Sequence, residues 1–390
     1  MGPSPARPTP QMPAVSPLAV AVLVGAVGLA GCLPGAGRGT DRALSPADSA
    51  SVAFAATVPV DTLELAWTAR APDEDAMPLP TSLGWLGDGR LAVVETQVGS
   101  VRLFGADGAY RRRIDLPPES FPYFAGATGD TVAVLARGPG TLLWLTPDSG
   151  VVHETDVNAG ASEDAISAWA PSPAGPLWVR RGGGATDGAP QLDELAPDGQ
   201  PRRTVTLPVA WRASGYLRAW GDRVVALSGY RPVLDLAPGP SPPAPAPAGA
   251  RVADTLALRG FDSPQLARSA QFMRGDVDEP PLLTSSAAAL GDALYVLNLR
   301  GDHVRIDVYG RDGVLQRVLV SPGPWRPLEH VAFDLAVRRH GGAVELAVLM
   351  QRGPGLLQPA DAFLSLYRWG AATPESPSAP TDTSAQRPRS

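Results

Sequence analysis

Residues 81–116 read TSLGWLGDGRLAVVETQVGSVRLFGADGAYRRRIDL, one complete unit of a pattern that runs through the chain. It divides into four short strands: Thr81–Leu86, Arg90–Glu95 after Gly87-Asp88-Gly89, Ser100–Phe104, and Tyr110–Leu116 after Asp107-Gly108. Asp-Gly between alternating apolar runs predicts a tight hairpin, because glycine tolerates the positive φ that such turns need. The same order recurs downstream. A second copy has Gly129-Asp130, Thr131–Ala136, Thr141–Leu145, Asp148-Ser149-Gly150 and Val151–Val157. A third has Leu177–Arg180, Leu192–Leu195, Asp198-Gly199 and Arg202–Leu207. A fourth has Gly221-Asp222, Arg223–Leu227, Val233–Leu236 and Val252–Leu258. A fifth has Gly291-Asp292, Ala293–Leu297, Val304–Tyr309, Asp312-Gly313 and Val314–Val320. A sixth has His340-Gly341-Gly342, Val344–Leu349 and Phe363–Trp369, after which the chain turns polar and Pro-rich.

Four-strand units of about 40–50 residues repeated in this way are propeller blades. The sixth copy lacks a fourth strand, and one strand, Thr62–Ala69, stands unassigned before the first copy. If that strand completes the last blade, the ring closes and no sheet edge is left open at the seam. The predicted fold is therefore all-β: a six-bladed β-propeller of four-stranded antiparallel blades over residues 59–370. Two stacked sandwiches or a barrel would not produce Gly-Asp and Asp-Gly turns in fixed order. The pattern resembles the NHL-like and TolB-like six-bladed propellers, whose blades carry a Gly-rich first turn and an Asp-Gly third turn. This resemblance implies the architecture; the fold hosts enzymes, scaffolds and ligand sensors alike. Many NHL-type blades end the second strand in Asp, whereas here that end holds Glu95, Ala136, Arg181, Ser228, Asn298 and Met350. No blade-by-blade catalytic residue carries over.

Composition agrees with a turn-rich β protein. The chain has 390 residues, with 42 Gly and 43 Pro, and only 6% are aromatic. A net charge of -6 argues against a nucleic-acid or anionic-membrane surface binder. No lysine occurs, so every one of the 33 basic residues is arginine, and an abundance of arginine carries no signal by itself. A single cysteine excludes a disulfide scaffold or a Cys-based zinc site.

That cysteine, Cys32, follows an uncharged apolar run from Leu18 to Ala30, too short to span a bilayer but of signal-peptide length. Leu29-Ala30-Gly31-Cys32 resembles the bacterial lipobox, which implies cleavage before Cys32 and lipidation of its sulfur and new amine. The expected organisation is a lipoprotein signal peptide over 1–31, a flexible tether over 32–58, the propeller with a Pro-rich insert at 238–250, and a disordered tail over 371–390. Ser263-Pro264 predicts the start of a short helix between blades four and five.

In a propeller, the loops after second strands and the loops leading into first strands share one face. On that face the sequence places Arg137, Arg181, Arg231, Arg300 and Arg352, with Glu95 at the matching place in blade one. Such a rim predicts a clamp for a carboxylate, phosphate or sulfated sugar. The histidines His153, His303, His330 and His340 show no metal-ligand spacing, and no catalytic residue, metal site or cofactor is read from the sequence. Glu163-Asp164 and the run Asp276–Glu279 read as solvated loop charges. Tryptophans 85, 144, 169, 178, 211 and 220 are expected to fill the wedges between blades, with Trp169 or Trp211 as candidates for carbohydrate stacking. The functional expectation is a monomeric binding or scaffold module, held to a bacterial membrane by Cys32 at the outer membrane or periplasmic face. Its partner would be an anionic small molecule or an envelope protein. The alternative is an envelope hydrolase or lyase of the lactonase or glutaminyl cyclase kind, using a metal in the central channel.

Overall fold

The computed structural model describes residues 44–370 apart from 160, 162–163, 183–188, 210–211, 213–214, 239–250, 279–280, 323–329 and 353–361. The positions of Cys32, the signal peptide, the Pro-rich insert beyond Pro238 and the polar tail lie outside the described residues.

Six sheets form the blades, each with its strands antiparallel in chain order. Blade one is Pro80–Trp85, Leu91–Glu95, Ser100–Phe104 and Tyr110–Asp115. Blade two is Pro122–Thr128, Thr131–Ala136, Thr141–Thr146 and Gly150–Asp156. Blade three is Ala165–Trp169, Leu177–Arg181, Gln191–Leu195 and Pro201–Thr206. Blade four is Tyr216–Trp220, Arg223–Leu227, Val233–Pro238 and Asp254–Ala257. Blade five is Thr284–Leu290, Ala293–Asn298, Arg305–Tyr309 and Leu315–Val320. Blade six is His330–His340, Ala343–Arg352, Ala362–Trp369 and, from the start of the chain, Glu64–Ala69. The first strands of the six blades neighbour one another in a closed cycle around the axis.

The seam closes as the counting of strands requires. Glu64–Ala69 runs antiparallel to Ala362–Trp369, with Leu65 opposite Tyr367 and Trp67 opposite Leu366. The preceding residues do more than the sequence suggests. Thr62–Ala69 is not one strand: Val60–Thr62 lies parallel on the outer strand of blade five, with Val60 opposite Val318. Leu63 is buried in the wedge between blades five and six. Blade four departs similarly, because Arg251–Val252 pairs parallel with the outer strand of blade three before the chain returns to its own blade. Both additions cover outer edges that would otherwise offer unpaired backbone groups.

Each junction between neighbouring blades holds one hydrophobic cluster. Trp144, Trp178 and Trp220 are buried in three of these wedges, Trp85 packs partly buried in a fourth, and Trp169 packs partly buried in the wedge that holds Trp178. Trp211 lies outside the described residues.

The tether expected over 32–58 needs correcting across its described part. Pro46–Ala55 forms a helix, α1, capped by Ser45, whose Oγ accepts from the Asp48 amide at 3.0 Å. Ala55, Val52 and Phe54 pack on the cluster between blades four and five. Ser51 Oγ accepts from the Gly260 amide at 2.9 Å, and Asp48 pairs with Arg231 at 3.0 Å. These contacts fix the segment to the propeller body. A second helix, α2, spans Leu266–Met273 in the connection between blades four and five. It begins two residues after the predicted Ser263-Pro264 start, with Ser263 Oγ accepting from the Gln265 amide.

Candidate functional site at the channel mouth

The first strand of every blade starts at the face that also carries the loops after second strands. Five of these six strands have a register shift near that end: Pro80/Ser82, Phe124/Gly126, Ala165/Ser167, Thr284/Ser286 and Ala332/Asp334. A bulge re-aims side chains and frees backbone groups for other partners. Here those partners come from neighbouring blades: the Phe124 amide donates to Ser82 Oγ at 2.8 Å, and Ser285 Oγ donates to the Ala332 carbonyl at 3.0 Å.

A buried polar knot ties four blades together below this level. Asp334 of blade six is wholly buried. Its carboxylate accepts from the Leu83 amide of blade one at 2.8 Å and from the Ser286 hydroxyl of blade five. Arg218 of blade four reaches it at 3.4 Å, while donating to the Ala287 carbonyl at 2.8 Å and to the Leu217 carbonyl at 2.9 Å. Burial pushes the Asp334 carboxyl pKa up, against the opposing pull of the Arg218 charge. Burial likewise raises the Tyr216 phenol well above its usual value, with the nearby Asp334 adding to it.

Above the knot lies a cavity of about 140 Å³, room for about five water molecules. Its walls include the rings of Tyr123, Phe124, Tyr216, Tyr230 and Phe333, and the hydroxyls of Ser167 and Thr284. Gly84 makes room for one wall: a Cβ there would stand 1.9 Å from the Phe124 ring. Tyr230 is backed by Phe272 of α2, with ring centroids 6.4 Å apart. Arg218 and Arg137 also line the cavity. Arg137 lies over the Tyr123 ring at 4.7 Å and has no carboxylate partner among the described residues.

The residues read as a rim do not converge. Arg181 is buried, pairs with Asp193 at 2.6 Å and donates to Asn158 Oδ1 at 3.0 Å. Arg231 is bound to Asp48 of α1. Arg300 pairs with Asp262 at 3.0 Å, beside Arg305 and Asp307. Glu95 is buried and accepts from the Leu79 amide at 2.9 Å and the Gln97 amide at 3.1 Å, holding its own loop. Burial raises its pKa. Arg352 ends the second strand of blade six opposite His330, and its side chain lies outside the described ones. Of these six positions, Arg137 is the one whose described side chain lines the cavity.

The other polar candidates are dispersed. His303 contacts Asp302 at 2.7 Å, His340 contacts Glu345 at 3.4 Å, and Asp164 accepts from Asn158 at 3.1 Å. Among the described residues no three His, Cys, Asp or Glu side chains are grouped so as to hold a metal ion. Glu163 and Glu279 lie outside the described residues. The cavity's walls were missed in the sequence because most of them come from the starts of first strands, which carry no motif.

No family model matches this sequence, and no curated protein sequence resembles it significantly. Many solved structures resemble its fold. Regucalcin, a calcium-binding protein from Agrobacterium tumefaciens, is 13% identical across 80% of this chain and 97% of its own, with a TM-score of 0.50. Virginiamycin B lyase from Staphylococcus aureus is 11% identical, covering 78% of this chain and 99% of its own, with a TM-score of 0.46. Glutaminyl cyclase from Myxococcus xanthus is 13% identical, covering 80% and 99%, with a TM-score of 0.38. The likeness to regucalcin is one of architecture. At these identities nothing beyond the architecture transfers.

Proposed function

We propose that this protein is a binding module of the bacterial cell envelope, anchored by lipid on Cys32, that captures a small anionic ligand at its channel mouth. One observation carries the reading: Arg137 presents a guanidinium to an aromatic-walled cavity with no carboxylate partner among the described residues. A charge in such a place attracts an anion, and a cavity with few polar groups fixes its orientation. The described lining contains neither histidine nor carboxylate, the side chains that most often serve as general bases, which favours holding over turnover. The anchor rests on the apolar run Leu18–Ala30 followed by Gly31-Cys32.

Calorimetric titration of the lipid-free protein with small carboxylates tests the site. Saturable binding that Arg137→Ala abolishes is expected; saturable binding unaffected by that change overturns the assignment of the site. Metal retained through purification, with turnover of a lactone or amide, would favour the hydrolase or lyase reading instead. For the anchor, radiolabelled palmitate should enter the wild-type protein and not Cys32→Ala. Equal labelling of both would remove the envelope part of the reading.

A further inference from the structure

We propose that the ligand class is a small aromatic monocarboxylate with a hydroxyl at the far end of its ring, lying across the mouth from blade two to blade five. The inference rests on the capture reading above and specifies its ligand.

The charge count sets the anion. Among the described residues two guanidinium groups line the cavity, and Asp334 already neutralises Arg218, so Arg137 leaves one positive charge to be matched. The guanidinium held against the Tyr123 ring offers a planar fork of N–H groups that fits one carboxylate. The walls set the body. Five aromatic rings with Ile166 and Leu282 make an apolar slot that suits a flat ring, which would gain from edge and face contacts. The volume limits the buried part to about one six-membered ring, with small substituents at its ends.

The second polar end follows from an independent observation. Thr284 lines the cavity and is 2% exposed, yet its Oγ1 has no hydrogen-bond partner among the described residues. Ser167 Oγ, in the same wall, is buried and likewise has no partner among the described residues. A buried hydroxyl left without a partner costs about 1–3 kcal/mol, so such atoms point to something absent that satisfies them. Thr284 opens the first strand of blade five, and blades two and five face each other across a ring of six. A ligand whose carboxylate meets Arg137 therefore carries its hydroxyl toward Thr284. Ser167 belongs to blade three, beside blade two, and serves the carboxylate end.

Calorimetry with 4-hydroxybenzoate, benzoate, 4-hydroxybenzyl alcohol and hexanoate tests each part. The hydroxybenzoate should bind most tightly. Arg137→Ala should weaken it by roughly tenfold or more, the scale of a hydrogen bond to a charged group, while leaving the neutral alcohol unchanged. Thr284→Val, which keeps the side-chain shape, should weaken 4-hydroxybenzoate several-fold and leave benzoate unchanged. Unaltered melting temperatures would show that both variants fold. Hexanoate binding as well as 4-hydroxybenzoate, in a manner sensitive to Arg137, overturns the aromatic class and leaves anion capture standing. An alcohol equal to the acid overturns the carboxylate assignment. Absence of saturable binding by all three acids at millimolar concentration overturns the class and the capture reading together.

Discussion

Replacing Asp334 by alanine tests whether the polar knot holds the blades in register. The carboxylate has three partners from three other blades: the Leu83 amide, the Ser286 hydroxyl and Arg218. Its loss strands a guanidinium whose side chain is only 17% exposed, and leaves two donors without an acceptor. Removing one member of a buried ion pair costs about 3–5 kcal/mol, and each orphaned donor about 1–3 kcal/mol. These costs overlap, because one water entering from the cavity could serve all three groups. The raised pKa of Asp334 lowers the sum further, since part of the pairing energy already offsets its burial. A loss of about 4 kcal/mol is therefore expected for Asp334→Ala. Denaturant unfolding followed by tryptophan fluorescence measures it. The double variant Asp334→Leu/Arg218→Met removes both charges and should recover at least half of the loss, because well-packed apolar replacements of buried pairs are often near neutral. A single-variant cost below about 1 kcal/mol, or a double variant no better than Asp334→Ala, would refute the argument.

Three further outcomes follow from other parts of the ring. A chain beginning at Arg70 lacks the strand that completes blade six and should lose its cooperative unfolding transition, whereas one beginning at Pro59 sheds α1 alone and should melt only modestly lower; equal losses would show that closure contributes nothing. Burial pushes the Glu345 carboxyl up, but hydrogen bonds and charge from Arg338 outweigh it and hold the pKa below the usual value. A depressed folded pKa stabilises above the unfolded value of about 4.3 and is lost as pH falls through the folded one, so the deficit of Glu345→Gln in denaturant unfolding should be largest at neutral pH and shrink in acid. A deficit constant from pH 7 to pH 3 contradicts this assignment. Gly84→Ala should push the Phe124 ring into the cavity, costing about 1–3 kcal/mol in thermal unfolding and weakening 4-hydroxybenzoate; unchanged affinity would mean that the ring can move elsewhere.

The repeat was legible because each hairpin announces itself. Gly108, Gly199 and Gly313 all sit at positive φ, where other residues are strained, so Asp-Gly marks these turns. Closure was legible by counting one missing strand against one spare. The cavity was not, because bulges at Thr81, Ile166 and Phe333 break the alternation that a strand shows in sequence. Helix α1 hid for another reason: PADSASVAFA is small and weakly amphipathic, and its only signals are Ser45 and Pro46 at the start. The arginine rim dissolved because pairing is decided in three dimensions. Asp193, Asp262 and Asp48, the partners of Arg181, Arg300 and Arg231, come from a neighbouring strand, the α2 connection and α1 respectively.

The clasp of Leu65 on Tyr367 joins residues 302 positions apart, and it orders events in time. A polypeptide emerging from its amino end delivers the clasping strand first and the partner last. Blades one to five can assemble as they appear, but the sixth stays incomplete until its closing residues arrive. Loop closure over so long a span is slow, so the tail-end sheet is where newly made molecules are most exposed to proteases and to one another.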